Sequence, residues 1–398
     1  MPNANLASMT PIMKEFYEGK IVKAVNNSTI FTQRIESTDD GVKQKVGGKY
    51  VDFPVQVGRN QGISFRQENE TLGDPGRARN KEVNVTLFYG YGRCRIQGQI
   101  FDLVDSDRHA FVNGVDNEMK VLEESVKKDQ NRIYYGDGTG KLAAVSVAMG
   151  APGLTFTVDD TYWVEIDAVV DLVNAAGTVL AGPRNVTAVD HDLKTVTLDG
   201  ANFTALTTHF VVRSGNFTGG TQREPDGMAR IVNNAVNLYG LNDPAWKARV
   251  IDMLGGNLSE TSVIKLLDDV WRNTGDTPSV IFTSLGVRRA YYNLLVQQRR
   301  FTGSTSFNGG FSALPFTYGA KDIPWVADPD CQTGRMYFVP ESEMKVYHTK
   351  EWYFEDRTGS MFVQVANVDA YDVLMKRYFE LGVRKRNAVG AIINVAEN

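Results

Sequence analysis

The chain has 398 residues, 42% hydrophobic and 23% charged, with a formal net charge of −4. That is enough apolar material for more than one core, and a near-balanced, mildly acidic chain argues against a protein that works by neutralising nucleic-acid phosphates. No apolar run approaches the ~20 residues needed to span a bilayer, and the two cysteines, Cys94 and Cys331, have no CxxC spacing, so free thiols in a reducing compartment are expected rather than a disulfide framework.

Residues 1–49 read as a mixed arm. The first residues lack a charged n-region followed by an apolar h-region, so they do not resemble a secretory signal. Ile12, Phe16, Ile21 and Val25 fit one side of a short helix over 11–25. After Ser28 the pattern reads as extended, with Ile30, Phe31 and Ile35, and Asp39-Asp40-Gly41 as a turn.

Residues 50–101 then alternate with period two. Val51, Phe53, Val55 and Val57 share one face of an outgoing arm over 50–66. Val83, Val85 and Leu87 share one face of a return arm over 82–100, continued by Tyr89, Tyr91, Arg93 and Arg95. This is the signature of two strands with unlike faces. The crossing, Glu68-Asn69-Glu70-Thr71-Leu72-Gly73-Asp74-Pro75-Gly76-Arg77, is turn chemistry. An arm of about 17 residues at ~3.3 Å each reaches about 55 Å. A compact chain of this length has a radius of gyration of roughly 21 Å. A two-stranded hairpin alone in water is marginal, so another copy of the chain is the economical support. Arg66, Glu68, Glu70, Arg77, Arg79 and Lys81 are the candidate contact residues between copies.

The period then changes to helical over 102–140. Asp105 or Ser106 caps a helix whose stripe is Phe111, Val115, Met119, Leu122 and Val126, with Glu118, Glu123, Lys127, Lys128 and Asp129 on the opposite face. Gly136-Asp137-Gly138 stops it. Residues 141–222 carry short strands at 153–158, 164–173, 186–189, 195–198 and 210–213 between turn signals, which suggests an inserted small barrel or sandwich.

Residues 223–335 mix helices and strands. A possible helix starts at Asp243-Pro244. Ser259 caps a stronger one with Val263, Leu266, Leu267, Val270 and Trp271 inward. A buried strand over 279–283 leads into a helix over 284–300 with Val287, Tyr291, Leu294 and Leu295 inward. Residues 336–398 return as strands, with 371–382 ambiguous between strand and helix. The class is α+β.

Catalytic chemistry finds no foothold. His109, His191, His209 and His348 are scattered and have no metal-ligand spacing. Gly136-Asp137-Gly138-Thr139-Gly140-Lys141 fails as a phosphate loop, because Tyr135 and Leu142 stand where Gly and Ser or Thr are needed and the run follows a helix. No Gly-x-Ser-x-Gly elbow occurs. Asp159-Asp160 and Asp268-Asp269 read as turn and helix surface. No cofactor and no enzymatic activity are expected.

The order of long hairpin, long helix, mixed α/β layer and returning strands resembles the major capsid protein family of tailed bacteriophages. Local texture supports the resemblance. Gln67-Glu68-Asn69-Glu70 with Val83-Asn84-Val85-Thr86 looks like its E-loop. Asp226-Gly227-Met228 with Asn242-Asp243-Pro244-Ala245-Trp246 resembles the entry to its A-domain. Phe316-Thr317-Tyr318-Gly319 with Ile323-Pro324-Trp325-Val326 looks like a late strand pair, and Glu380-Leu381-Gly382-Val383-Arg384-Lys385-Arg386 like the closing P-domain strand. The resemblance implies an N-terminal arm (1–49), an E-loop (50–101), a P-domain spine helix (102–140), an inserted β-domain (141–222), an A-domain (223–335) and P-domain strands (336–398). It further implies hexamers and pentamers tiling an icosahedral head around double-stranded DNA. Portal, scaffold and decoration proteins would be partners, and there would be no membrane. Some members of that family cross-link an E-loop lysine to a neighbour's asparagine. Lys81 is the nearest candidate, and nothing else in the sequence supports that chemistry. A nanocompartment shell enclosing an enzyme is the alternative use of the same fold. A third reading, a β-rich enzyme or surface adhesin, is weakened by the missing catalytic constellation and the missing export signal.

Overall fold

A computed structural model describes residues 28–37, 43–45, 50–99, 108–297, 305–306, 312–319, 321–356 and 360–397. The expected helix over 11–25, the turn at 39–41 and the Asp105 or Ser106 cap lie outside the described residues. The chain forms two compact units. One comprises Phe88–Pro225 and Lys350–Tyr378, with Ser28 and Thr29; the other comprises Ile30–Leu87, Asp226–Thr349 and Phe379–Asn398.

The first unit is built on the helix Arg108–Tyr135. The strand Phe88–Gln97 lies along it. Gly92 is required there, because a Cβ at that position would sit 2.7 Å from Val126 Cγ2. The other side of this strand pairs with Ala370–Val383, on which Tyr353–Phe354 and Phe362–Gln364 also pair antiparallel. The ambiguous 371–382 stretch is therefore strand, and Val373, Met375, Phe379, Leu381 and Val383 are buried along that strand. Lys128 departs from the expected solvent face. It is buried, with its ammonium 5.1 Å from the Trp163 ring. The end of the helix is where residues 141–222 attach: Arg132 is paired with Glu224 at 2.7 Å and Arg213 with Asp129 at 3.1 Å.

Those residues form a closed barrel. The strands run in the order Lys141–Ala144, Phe210–Arg213, Val169–Val173, Val179–Asp190, Thr195–Leu198, Thr155–Thr157. A Val145–Val158 bridge joins the last strand to the first. Every neighbouring pair is antiparallel. Leu142, Val170, Leu172, Val196 and Val211 fill the interior. Closure satisfies edges that a strand would otherwise expose.

The second unit centres on a seven-stranded mixed sheet, ordered Arg249–Asp252, Gly390–Ile393, Met336–Val339, Val280–Thr283, Lys321–Ala327, Ser312–Tyr318, Thr305–Ser306. Its middle strands, Val280–Thr283 and Met336–Val339, are buried at every residue, as unbroken apolar runs require. The helix Glu260–Thr274 packs on it through Val263, Leu266, Leu267 and Val270. Ser259 caps this helix by accepting from Ser262 N, and Gly275 ends it in the left-handed region. Trp271 was expected on the inward stripe but is 57% exposed. It stands one residue past Val270, which takes the core position. The helix Leu285–Gln297 packs by Val287 and Tyr291, and the Tyr291 ring stacks on Trp325 at 3.9 Å. Pro244–Trp246 is a single 3-10 turn rather than a longer helix.

One expectation is reversed outright. Residues read as extended after Ser28 form the helix Ile30–Ser37. Ile30, Phe31 and Ile35 are all buried, so a spacing of one and five residues marks one helical face here. Phe31 meets Phe282, and the Phe31 amide donates to Asp328.

Candidate intersubunit surface

The hairpin belongs to the second unit. Its ladder is shorter than the alternation suggests: Tyr50–Gly58 pairs antiparallel with Arg79–Thr86. The return arm does not continue to residue 100 as part of the hairpin, because Phe88–Gln97 changes partner and joins the first unit's sheet.

The root rests on its own unit. Val83 and Val85 are fully buried, and the Asn84 amide donates to the Tyr239 carbonyl at 3.1 Å. The Tyr239 hydroxyl in turn donates to the Leu381 carbonyl at 2.6 Å. Next to it Glu380 Oε1 accepts from the amides of Asp226 and Leu381 at 2.9 and 3.0 Å. Burial, with the Asp226 carboxyl beside it, pushes the Glu380 carboxyl well above its usual range. Burial likewise pulls Arg386 down to about 10; it donates to the carbonyls of Ile231 and Asn233 and lies 5.6 Å from the Trp246 ring. Through Tyr239 the hairpin root is tied to Leu381, within the same unit.

Beyond Gly58 the two arms stay close without a ladder. Gly62 and Gly76 face each other so tightly that a Cβ on either would lie about 2.4 Å or less from the other's amide nitrogen. The Gly73 amide donates to Ser64 Oγ at 3.3 Å. The tip is the turn 67–70, where the Glu70 amide donates to the Gln67 carbonyl and the Gln67 amide to Glu70 Oε2. Asn69 takes the left-handed conformation, φ 65°, that such a turn needs. Ser64 thus lies beside Gly73 and Gln67 beside Glu70.

The six expected contact residues do not gather at one point. Arg66, Glu68 and Glu70 are at the tip; Arg77 is on the unladdered return; Arg79 and Lys81 lie in the ladder, with Lys81 opposite Val55. All six are exposed. Glu70 is engaged in its own turn, and Arg79 reaches Asp243 at 3.1 Å. What charge-based reading misses is apolar. Ile63, Phe65 and Leu72 are 78%, 96% and 83% exposed, and Phe65 is the most exposed large hydrophobic among the described residues. The signal was present in the alternation Ile63-Ser64-Phe65, which continues that of the outgoing strand.

Elsewhere the described residues offer little chemistry. No group of three or more His, Cys, Asp or Glu among them is placed to hold a metal. His191 pairs with Thr161, and His209 Nδ1 accepts from the Leu206 amide while burial lowers its pKa. Thr139 folds back on Asp137 in a helix-ending turn, with Gly138 and Gly140 at positive φ. Burial pushes Cys94 up to about 11 and Cys331 well above its usual range, which keeps both thiols protonated and unreactive. No helix among the described residues is long and apolar enough to cross a membrane.

No protein-family profile and no curated protein matches the chain. Among solved structures it is similar to a chain of the cyanophage A-1(L) capsid asymmetric unit: 14% identity, a TM-score of 0.51, covering 97% of this chain and 99% of that one. It is equally similar to a chain of the capsid of a native GTA particle: 8% identity, a TM-score of 0.51, covering 99% of both. At such identities the likeness is one of fold. The α+β fold seen here is shared with these two capsid chains over nearly its whole length.

Proposed function

We propose that this chain is a structural shell subunit, the major capsid protein of a tailed bacteriophage. Copies assemble as hexamers and pentamers into an icosahedral head that encloses double-stranded DNA. The observation that carries the reading is the hairpin: its root is fixed in its own unit, while its tip displays Ile63, Phe65 and Leu72 to solvent. A ribbon of two strands gains little from standing alone, and a second copy supplies the missing layer. The fold shared with capsid chains over nearly the whole length supports the same conclusion. The role is structural rather than catalytic, its place is the virion capsid, and portal, scaffold and decoration proteins are the expected partners beside other copies. Residues 1–49 serve as the arm, 50–101 as the E-loop region, 102–140 and 336–398 as the P-domain, 223–335 as the A-domain and 141–222 as an insertion. Arg66, Glu68, Glu70, Arg77, Arg79 and Lys81 line the contact.

Electron microscopy of the purified, concentrated protein tests this. Closed shells of tens of nanometres are expected. A stable monomer at all concentrations would overturn the reading. Shells that copurify with an enzyme and no DNA would move it to a nanocompartment.

A further inference from the structure

The chain as a whole is slightly acidic, but one stretch breaks the balance. Between Asp276 and Asp322 the sequence holds four arginines and one lysine and no Asp or Glu, in a chain with 47 acidic residues. Two of those arginines, Arg288 and Arg289, sit on the helix Leu285–Gln297. The inward side of that helix is Val287 and Tyr291, packed in the core of the second unit. Leu285, Arg288, Arg289, Tyr292 and Asn293 are all exposed. Their spacing of three and four residues makes them one solvent-facing stripe.

The carboxylates that flank the helix are engaged elsewhere. Asp276 pairs with Lys385, and Asp322 accepts from the Thr317 hydroxyl at 2.7 Å. Glu397, at the start of the helix, accepts from the Ser284 hydroxyl and from the Gly334 amide. Glu260 acts on the inward side: burial, with this carboxylate nearby, pushes Tyr291 up to about 12. Among the described residues neither Arg288 nor Arg289 has a carboxylate partner, whereas Arg93, Arg95, Arg132 and Arg213 each have one. Arg288 instead lies 6.0 Å from the centre of the Tyr292 ring. A guanidinium held over an aromatic face keeps its edge of N–H donors free, and that edge matches two oxygens of one phosphate. Tyr292 and Asn293 add neutral donors of the kind that lie against a sugar–phosphate backbone. Two unmatched arginines beside an exposed aromatic and an amide suit a nucleic acid better than an acidic peptide.

We propose that the stripe Arg288, Arg289, Tyr292 and Asn293 is a contact for the phosphate backbone of DNA, made without regard to base sequence. The inference rests on the shell reading for the source of that DNA, the molecule enclosed. Two cations make a weak contact: neutralising two phosphates gives log K against log salt a slope of roughly −1.8, so each doubling of salt weakens it ~3.5-fold. Repeated in every copy, contacts this weak steady a duplex against a wall without gripping it.

The test measures binding of the full chain to a short labelled duplex of mixed sequence, by fluorescence anisotropy over a series of salt concentrations. Arg288→Ala with Arg289→Ala should weaken binding ~10-fold or more at low salt and flatten the salt slope by roughly 1.8. Arg288→Lys with Arg289→Lys should keep the slope. Removing the same charge from the hairpin, by Arg66→Ala with Arg77→Ala, should change binding less than ~2-fold. Native-like binding by the double alanine variant, with its circular dichroism unchanged, overturns the inference. So does a native chain that binds no duplex at low salt. Polyglutamate that displaces the label at a lower charge concentration than unlabelled duplex also overturns it and assigns the stripe to an acidic protein. Shells are scored separately by electron microscopy, so each of these results leaves the shell reading standing. A chain that forms no shells but loses DNA binding with the two arginines overturns the shell reading and supports the stripe.

Discussion

The barrel of residues 141–222 and the hairpin of residues 50–86 are built from the same pattern, alternating apolar and polar residues between turns. The barrel's six strands return to their starting edge through the Val145–Val158 bridge, and Leu172, Val196 and Val211 end up with no exposure to water worth counting. The hairpin has two strands and no return. It buries Val83 and Val85 at the root and leaves Phe65 and Leu72 bare at the tip. Alternation therefore sets the two faces of a strand, but the number of strands available decides whether the apolar face is covered from within. The barrel is complete in one copy, and the hairpin is not.

The comparison can be broken most directly by removing the tip. Deleting residues 62–76 and joining the arms with a short Gly-containing turn should abolish shells while leaving circular dichroism and thermal unfolding of the monomer almost unchanged; an unfolded monomer would mean that the tip serves its own chain. The converse is a change in the barrel. Leu172→Ala should destabilise its unit by about 2–5 kcal/mol in urea unfolding, whereas Phe65→Ala should cost the monomer about 0–0.5 kcal/mol.

A third test concerns the root, where the hairpin is held by its own unit. Glu380 is buried among Asp226, Arg230, Tyr239 and Arg386, and its folded pKa lies above its unfolded value. Its stabilising contribution is thus fully present below the unfolded pKa of about 4.3 and is lost as pH rises through the folded value. Glu380→Gln removes that dependence. The stability of the variant relative to the native chain should grow with pH by up to about 1.4 kcal/mol per unit, read from urea midpoints between pH 5 and 9. A constant difference across that range would show that Glu380 folds ionised. The smallest effect is expected from Arg79→Glu. The exposed Arg79–Asp243 pair is worth about 0–1 kcal/mol, so the monomer should scarcely notice the change.

Much of the architecture was legible because it is local. Thr195–Leu198, Phe210–Arg213 and Met336–Val339 begin and end where alternation and turn residues say they should, and Ser259 and Gly275 bracket their helix by capping chemistry. What was not legible depends on partners far away in sequence. Ile30, Phe31 and Ile35 fit strand or helix equally until Phe282 and Asp328 are in place. Lys128 sits on a charged face by periodicity, but Trp163, 35 positions on, covers it. Phe88–Gln97 continues the hairpin's alternation and yet pairs with a strand near the other end of the chain. At the candidate surface the charged residues drew attention because charge in a turn is conspicuous. Phe65 was harder to see, since an apolar residue in a strand-like run reads as core until its exposure is known.

The barrel's two chain ends meet. The Gln222 side chain donates to the Asp137 carbonyl at 3.2 Å, and Gly140 packs so closely on Glu224 that a Cβ there would come within 2.9 Å of its carboxylate. The polypeptide thus leaves the long helix and comes back to the same spot, as a stitch does. Such a stitch is a natural socket: another small folded domain with neighbouring termini, spliced between residues 140 and 223, would ride on each subunit and be displayed once per copy at a regular spacing.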